Sequence, residues 1–570
     1  MSKQVLGNDL ILGQIAGRRE NLVLSKEARA THLYACGATG TGKSKFLENL
    51  LRQDIINWRK SKSGLLLIDP HGALYDSLMS WLAWNNIDRP IIPIDLRQDD
   101  QIISYNLLRH RPMANPSVIV DNIVHAMAYV WGQTGTDATP LFARWMTNIL
   151  QALYEKKHTL VEAIHLTDRM RVDLREAFTQ GLNDQMAARD WEFANRHLKP
   201  NEFDEKVSST INRLQRFLRN EHIRCILGQP GESLDLGQVL NQGSIILVNL
   251  SLERAKISKE DAELLATLLL HDLWTAAQER GKRKENKPFY VYLDEFQRFV
   301  TPTIAENLDE ARGYGLHLTL THQFPQQLID AGEHGQRLYN SVMENARSKV
   351  AFQLSVEENL KPLAQILFRG EMNTEEVKLK MYSTKVMEYR EEYRTAMSVS
   401  TSEGKGQMSH AGHAEIQGMD PALDTWQARF SDSVAEGSTL SSAKSETESR
   451  FPVLIPILGQ ELSHVQFRDL DEQLFRAMAV LFDQQQRQFV TRLVGMKSPA
   501  SVFTPFVKEA ISKPERIERY TNLLLGKLNF VKPMSKVKEE LKQRERNFSE
   551  NFAQATQKEP STSKRQKKTT

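Results

Sequence analysis

Within the stretch HLYACGATGTGKSKFLENLL, His32 to Leu51, Gly37 is followed by four residues and then by Gly42, Lys43 and Ser44. GxxxxGK[ST] spacing is the pattern of a phosphate-binding loop. The glycines let the backbone N–H groups of Gly37, Ala38, Thr39, Gly40, Thr41 and Gly42 curl round a polyphosphate, and the positive end of the following helix points at the same charge. In that chemistry Lys43 reaches the β- and γ-phosphates of ATP and Ser44 ligates Mg²⁺. The flanks agree with it: HLYAC reads as a short buried strand, and Phe46, Leu47, Leu50, Leu51, Ile55 and Trp58 recur at helical spacing.

Hydrolysis needs carboxylates that the loop does not carry. FYVYLDEF has the form of a Walker B strand, an apolar run that delivers Asp294 and Glu295 at its end. Asp294 is placed to hold Mg²⁺ through water, and Glu295 to polarise the attacking water. LTLTHQFPQQL then sets Gln323 at the tip of another strand, where an amide can sense the γ-phosphate.

Positioning these groups requires a sheet. LLLID, PIIPID, SIILVNL, FYVYLD, HLTLTHQ and KVAFQLS are short apolar runs without alternation, separated by helical stretches, as parallel strands covered on both faces should be. Gly37, Asp69, Asp294, Glu295 and Gln323 all fall at carboxyl ends of such runs, where sites in α/β sheets lie. The expected fold is therefore α/β with a mainly parallel sheet. The expected division is a nucleotide-binding domain over 1–111 and 236–380, an inserted all-α domain over 112–235, a polar flexible insertion over 381–450, a small C-terminal α/β segment over 451–530 and a charged, disordered tail over 531–570. In the all-α part, Lys206, Arg213, Arg216, Arg219 and Arg224 fall opposite the apolar stripe Val207, Ile211, Leu214 and Leu218. That face is either a DNA-phosphate contact or a solvated helix surface.

Composition limits the classes. With 570 residues, 40% of them hydrophobic and 25% charged, the chain reads as a globular protein of more than one unit. Its net charge of +3 makes any nucleic-acid surface a local feature. Cys36 and Cys225 are the only cysteines and show no zinc or CxxC spacing, which fits a reducing cytoplasmic setting. No stretch reads as a signal peptide or a membrane span, so work at a membrane would require recruitment by a partner.

GATGTGKS, LLLIDPHG, FYVYLDEF and ARGYGLHLTLTHQFPQQL together resemble the FtsK/HerA superfamily of DNA pumps, and within it the TraD/TraG group of coupling ATPases of conjugation and type IV secretion. The resemblance covers roughly Asn8 to Ser355. It implies a RecA-like, usually hexameric motor that hydrolyses ATP with Mg²⁺ and drives single- or double-stranded DNA toward a secretion channel. It also implies an arginine finger at Arg312, eleven residues before Gln323, with Arg347 as the second candidate. Group members typically begin with transmembrane helices, which this sequence lacks before its nucleotide-binding region. Partners consistent with the resemblance are DNA, further copies of the chain, a relaxase, a nuclease or a membrane-bound secretion subunit. A HerA-like DNA-processing or defence motor and a nucleotide-gated platform that docks a relaxase or effector remain as alternatives.

Overall fold

The computed structural model describes residues 7–111, 115–132, 140–253, 256–283, 286–301, 308–330, 332–401, 408–420, 425–437 and 444–557. The N-terminal part supplies β1 (Leu10–Ile15), β2 (Asn21–Leu24), β3 (Leu33–Cys36), β4 (Gly64–Asp69), β5 (Ile91–Asp95) and a short β6 (Gln101–Ile103). After a helical stretch come β7 (Ile245–Asn249), β8 (Phe289–Asp294), β9 (Leu316–His322) and β10 (Ser348–Phe352). Next are β11 (Val377–Thr401), β12 (Met408–Asp420), β13 (Thr425–Gly437) and β14 (Lys444–Phe467), and finally β15 (Gln488–Arg492), β16 (Ala500–Phe503) and β17 (Val531–Pro533).

One sheet dominates, with the order β2-β1-β16-β15-β10-β3-β9-β8-β4-β7-β5. From β10 to β5 all pairings are parallel, whereas β15, β16, β1 and β2 extend the sheet in antiparallel fashion. Every residue of β4, β8 and β9 is buried, the consequence of helices on both faces; β4 and β8 accordingly do not alternate, whereas β9 alternates leucine with buried His317, Thr319 and Thr321. β9 separates the loop-bearing strand β3 from the carboxylate-bearing strand β8, as in a RecA-like fold. Between β6 and β7 the described chain is helical, from Pro116–Gly132 through Pro200–Leu218 to Leu236–Gln242. Both cysteines are free and buried, and among the described residues no helix is long and apolar enough to cross a membrane.

The chain forms two compact units, one of residues 1–372 with 473–570 and the other of residues 373–472. This division differs from the expected boundaries in three places. The expected flexible stretch from 381 enters β11, which pairs with β14 in one long antiparallel ladder, because apolar residues recur at alternate positions along VKLKMYSTKVMEYREEYRTAMSV. The apolar run from Phe451 belongs to that ladder and not to the segment after it. β15 and β16 in turn are strands of the main sheet and not part of a separate small domain. The charged end also holds order: Met534–Gln557 is helical, with Met534 and Val537 buried against Cys225 and Ile102. There Arg544 pairs with the buried Glu162 and donates to the Gly228 carbonyl at 2.7 Å. Its charges mask an apolar stripe. Residues 558–570 of the expected tail lie outside the described residues.

A buried ion pair ties the loop helix to the rest of the main unit. Arg29 donates to both carboxylate oxygens of Asp54 (2.8 and 2.6 Å) and lies 3.3 Å from the centroid of the Tyr290 ring, while the Tyr292 hydroxyl donates to Asp54 at 2.6 Å. Asp54 stands on the Lys43–Ser61 helix and both tyrosines on β8, so the network links the two elements that carry the candidate site. Asp54→Ala leaves the guanidinium buried without its partner, and a loss of roughly 3–5 kcal/mol is expected. Thermal unfolding followed by tryptophan fluorescence should show a clearly lowered midpoint; an unchanged midpoint would remove the network from the account.

A candidate nucleotide site at the carboxyl ends of the parallel strands

The loop between β3 and the Lys43–Ser61 helix is held on both sides. Gly37 N–H donates to the Gln323 carbonyl at 3.0 Å and Ala38 N–H to the Gln353 carbonyl at 3.1 Å, which fixes the loop to the ends of β9 and β10. A Cβ on Gly37 would stand 2.4 Å from Phe352 Cβ, and Gly40 and Gly42 have φ of +82° and +112°, so glycine is required for packing at the first position and for backbone conformation at the other two. Gly42 caps the helix without a side-chain hydrogen bond. The first-turn N–H groups, Lys43 and Ser44 among them, therefore face the cleft with no intrahelical partner.

That cleft, of about 450 Å³, is lined by Ala38, Thr39, Gly40 and Gly42 to Lys45 of the loop, by Asp294, Glu295 and Gln323, and also by His71 and Gln486. Lys43 Nζ lies 3.0 Å from Glu295 Oε1 and 3.7 Å from Asp294 Oδ1, and all three residues are buried. Burial pushes the Asp294 carboxyl upward, while Lys43 and the hydrogen bond from Thr321 Oγ1 (2.7 Å) pull it down. Glu295 follows the last residue of β8 at φ +49°, an uncommon conformation for a side-chain-bearing residue, and Gln297 Nε2 holds its second oxygen at 2.8 Å. The tight turn aims both carboxylates at the lysine.

Two buried carboxylates against a single lysine leave a negative surplus that suits a divalent cation. Asp294 and Ser44 offer the hard oxygen donors that Mg²⁺ takes. Asp69 adds to that negative field, and its oxygens accept the N–H groups of His71 and Tyr75 (both 2.9 Å), holding His71 at the cleft. His322 lies beneath the cleft, hydrogen-bonded to the Tyr34 hydroxyl; burial lowers its pKa to about 3, so it stays neutral.

The structure thus brings the loop residues, Asp294, Glu295 and Gln323 together. Arg312 and Arg347 stand elsewhere. Arg312 ends the Leu308–Gly313 helix that leads into β9, and Arg347 immediately precedes β10; both are exposed. Each lies at the amino ends of the strands, near Thr31 and His32: Arg347 N–H donates to the Thr31 carbonyl at 3.0 Å, and His32 contacts the Leu308 carbonyl at 2.7 Å. The seven residues of β9, about 23 Å at 3.3 Å per residue, separate Arg312 from the cleft of its own chain.

Sequence reasoning missed Thr321, His71 and Gln486. Thr321 alternates with neighbours in a strand read only as apolar, and Gln486 reaches the site from far along the chain. The basic face expected on the all-α part is not a continuous cationic stripe. Arg213 donates to Ser209 Oγ at 2.6 Å and lies over the Phe142 ring, Arg216 is paired with Glu260, and Arg224 belongs to the next helix.

Residues 288–417 match the family model described as the TraM recognition site of TraD and TraG. Over that span the chain is similar to TraD and TraG. The match includes Asp294, Glu295, Arg312, Gln323 and Arg347, and it agrees with the resemblance read from the motifs. No curated protein matches the sequence. Among solved structures, the conjugative coupling protein TrwB in an unbound form shares 14% identity over 90% of this chain and 92% of its own, with a TM-score of 0.49. TrwB bound to a non-hydrolysable ATP analogue shares 14% over 86% and 88%, with a TM-score of 0.47. VirB4 of Thermoanaerobacter pseudethanolicus shares 15% over 63% and 87%, with a TM-score of 0.39.

The Lys43–Glu295 contact makes the two residues behave differently on substitution. Lys43→Ala should lose polyphosphate binding. Glu295→Gln removes the charge that holds Lys43, so a non-hydrolysable ATP analogue should bind several-fold more tightly, as expected for about 1 kcal/mol of lost competition. Calorimetric titration checks both variants; loss of binding in Glu295→Gln would make Glu295 a structural residue.

Proposed function

We propose that this chain is an ATP-hydrolysing DNA translocase, acting as the coupling ATPase of a conjugative or type IV secretion system. The observation that carries this reading is the buried cluster of Lys43, Asp294 and Glu295 at the carboxyl ends of two parallel strands one strand apart, of which Asp294 and Glu295 lie in the region that matches the TraD/TraG family model.

Lys43 binds the β- and γ-phosphates once they draw its ammonium from Glu295. With the Gly37 and Ala38 N–H groups held by the Gln323 and Gln353 carbonyls, the N–H groups of Lys43 and Ser44 at the start of the helix orient the chain of phosphates. Glu295, released from the lysine, accepts the proton of the attacking water. Mg²⁺, held by Ser44 and Asp294, would neutralise phosphate charge as the terminal phosphoryl group departs. Gln323, whose carbonyl is hydrogen-bonded to Gly37 N–H, joins the γ-phosphate end of the cleft to β9, so loss of the phosphate is felt along that strand.

Arg312 cannot serve its own cleft from the opposite end of β9. It acts instead on the ATP of a neighbouring copy in a closed ring, with six subunits the reading that the resemblance favours. DNA is the transported substrate. A partner resembling the one named for the matched region would dock on exposed residues of 288–417. Attachment to the inner membrane would come through such a partner.

Arg312→Ala and Glu295→Gln proteins should each be nearly inactive in steady-state ATPase assays. Mixed, they form some interfaces in which an intact Arg312 faces an intact Glu295, and partial recovery of turnover is expected. Mixtures shown by mass measurement to co-assemble yet lacking recovery would overturn the trans role of Arg312 and move it toward Arg347. Wild-type protein that binds ATP without turnover would instead favour the nucleotide-gated docking platform.

A further inference from the structure

We propose that the turn preceding β15, with the segment that follows β16, forms the wall on which the nucleoside end of ATP rests, and that Gln486 and Phe506 are its contact residues. This inference rests on the nucleotide-site reading above.

The turn is built onto the phosphate loop itself. Arg487 N–H donates to the Thr41 carbonyl at 2.8 Å, and Gln486 Nε2 donates to the Gly40 carbonyl at 3.2 Å. A Cβ on Gly42 would stand 3.0 Å from Arg487 Cα, so the last glycine of the loop is needed for this contact as well as for its φ of +112°. Arg487 adopts φ +68°, and its carbonyl accepts the N–H of Thr504 at 2.9 Å, which joins the turn to the end of β16. Two residues on, Phe506 is 76% exposed, with the Arg487 guanidinium 5.7 Å from its ring centroid. Farther along the same segment, Lys508 accepts a hydrogen bond from Arg52 and Glu509 pairs with Lys45 at 3.6 Å, so this strand of chain follows the loop helix.

The depth of the cleft decides which part of the ligand meets this wall. Lys43, Asp294 and Glu295 are 3–7% exposed, at the floor, whereas Gly40 and Gln486 are exposed at the rim. The reacting phosphates belong with the buried carboxylates. The rest of the nucleotide must leave past the rim. Gln486 spends its amide N–H on Gly40 and keeps Oε1 as an acceptor suited to a ribose hydroxyl. Phe506 offers an exposed aromatic face with a cation behind it, suited to a base.

The test compares ATP with inorganic tripolyphosphate, which has the phosphates and no nucleoside. Equilibrium binding would be measured by calorimetry with wild type, Gln486→Ala, Phe506→Ala and Lys43→Ala. Phe506→Ala should weaken binding of a non-hydrolysable ATP analogue roughly 3- to 10-fold, the effect of one lost stacking contact, while its tripolyphosphate binding stays at the wild-type value and shows that the loop is intact; Gln486→Ala, which also loses the bond to Gly40, should weaken the analogue clearly more than tripolyphosphate. Equal weakening for both ligands would make the turn a brace for the loop and overturn the proposal, as would no change for either. If wild type and Lys43→Ala bound tripolyphosphate alike, the nucleotide-site reading itself would fail, a result distinct from the other two.

Discussion

A lysine buried between two carboxylates sets the terms for the rest of this molecule. Lys43 contacts Glu295 at 3.0 Å and Asp294 at 3.7 Å in a place where all three are nearly inaccessible. Such a cluster is costly unless its geometry is fixed, because each charge has lost most of its hydration. The geometry is fixed twice. β3 and β8 are held one strand apart by β9, and behind them Arg29, Asp54, Tyr290 and Tyr292 bind the loop helix to the same strand that delivers the carboxylates. In the proposed mechanism a polyphosphate takes Lys43 from Glu295, so that binding and the freeing of Glu295 are one event.

The centre of the site was legible in the sequence because its parts are local. A phosphate loop must be a glycine-rich turn between a strand and a helix, and a Walker B pair must end an apolar run, so Gly37 to Ser44, Asp294 and Glu295 could be placed without knowing how the strands pair. Gln323 was placed by the same rule. The outer parts of the site were not legible, because they depend on pairings between distant segments. Nothing in QQQRQFVTRLVG announces that its strand will lie beside β10, or that Gln486 will touch Gly40. The ladder of β11 and β14 was hidden for a different reason. Its alternation carries tyrosine, methionine and charged residues together, and such a mixture reads as polar chain when its partner strand is not in view.

The two arginines show how topology assigns roles that a motif cannot. By sequence Arg312 is close to Gln323, but an extended strand puts every residue of separation into length. The two ends of β9 therefore belong to different neighbourhoods, one facing the nucleotide of its own chain and the other presenting a cation outward. On the proposed reading that second end has a use in a ring of identical subunits, where the outward arginine of one copy would reach the cleft of the next. Hydrolysis would then depend on assembly, and Gln323 and Arg312 are joined through one buried strand. That link is what a motor needs to pass a change in its nucleotide to a neighbour.

On the proposed function, this cluster powers movement of DNA. Steady-state ATP hydrolysis by the full chain, measured without DNA and with saturating single-stranded or double-stranded DNA, tests it most directly. Stimulation of several-fold by at least one form of DNA, abolished by Lys43→Ala, is the predicted result. Hydrolysis that is indifferent to both forms of DNA, by protein shown to bind ATP and to assemble, would contradict it.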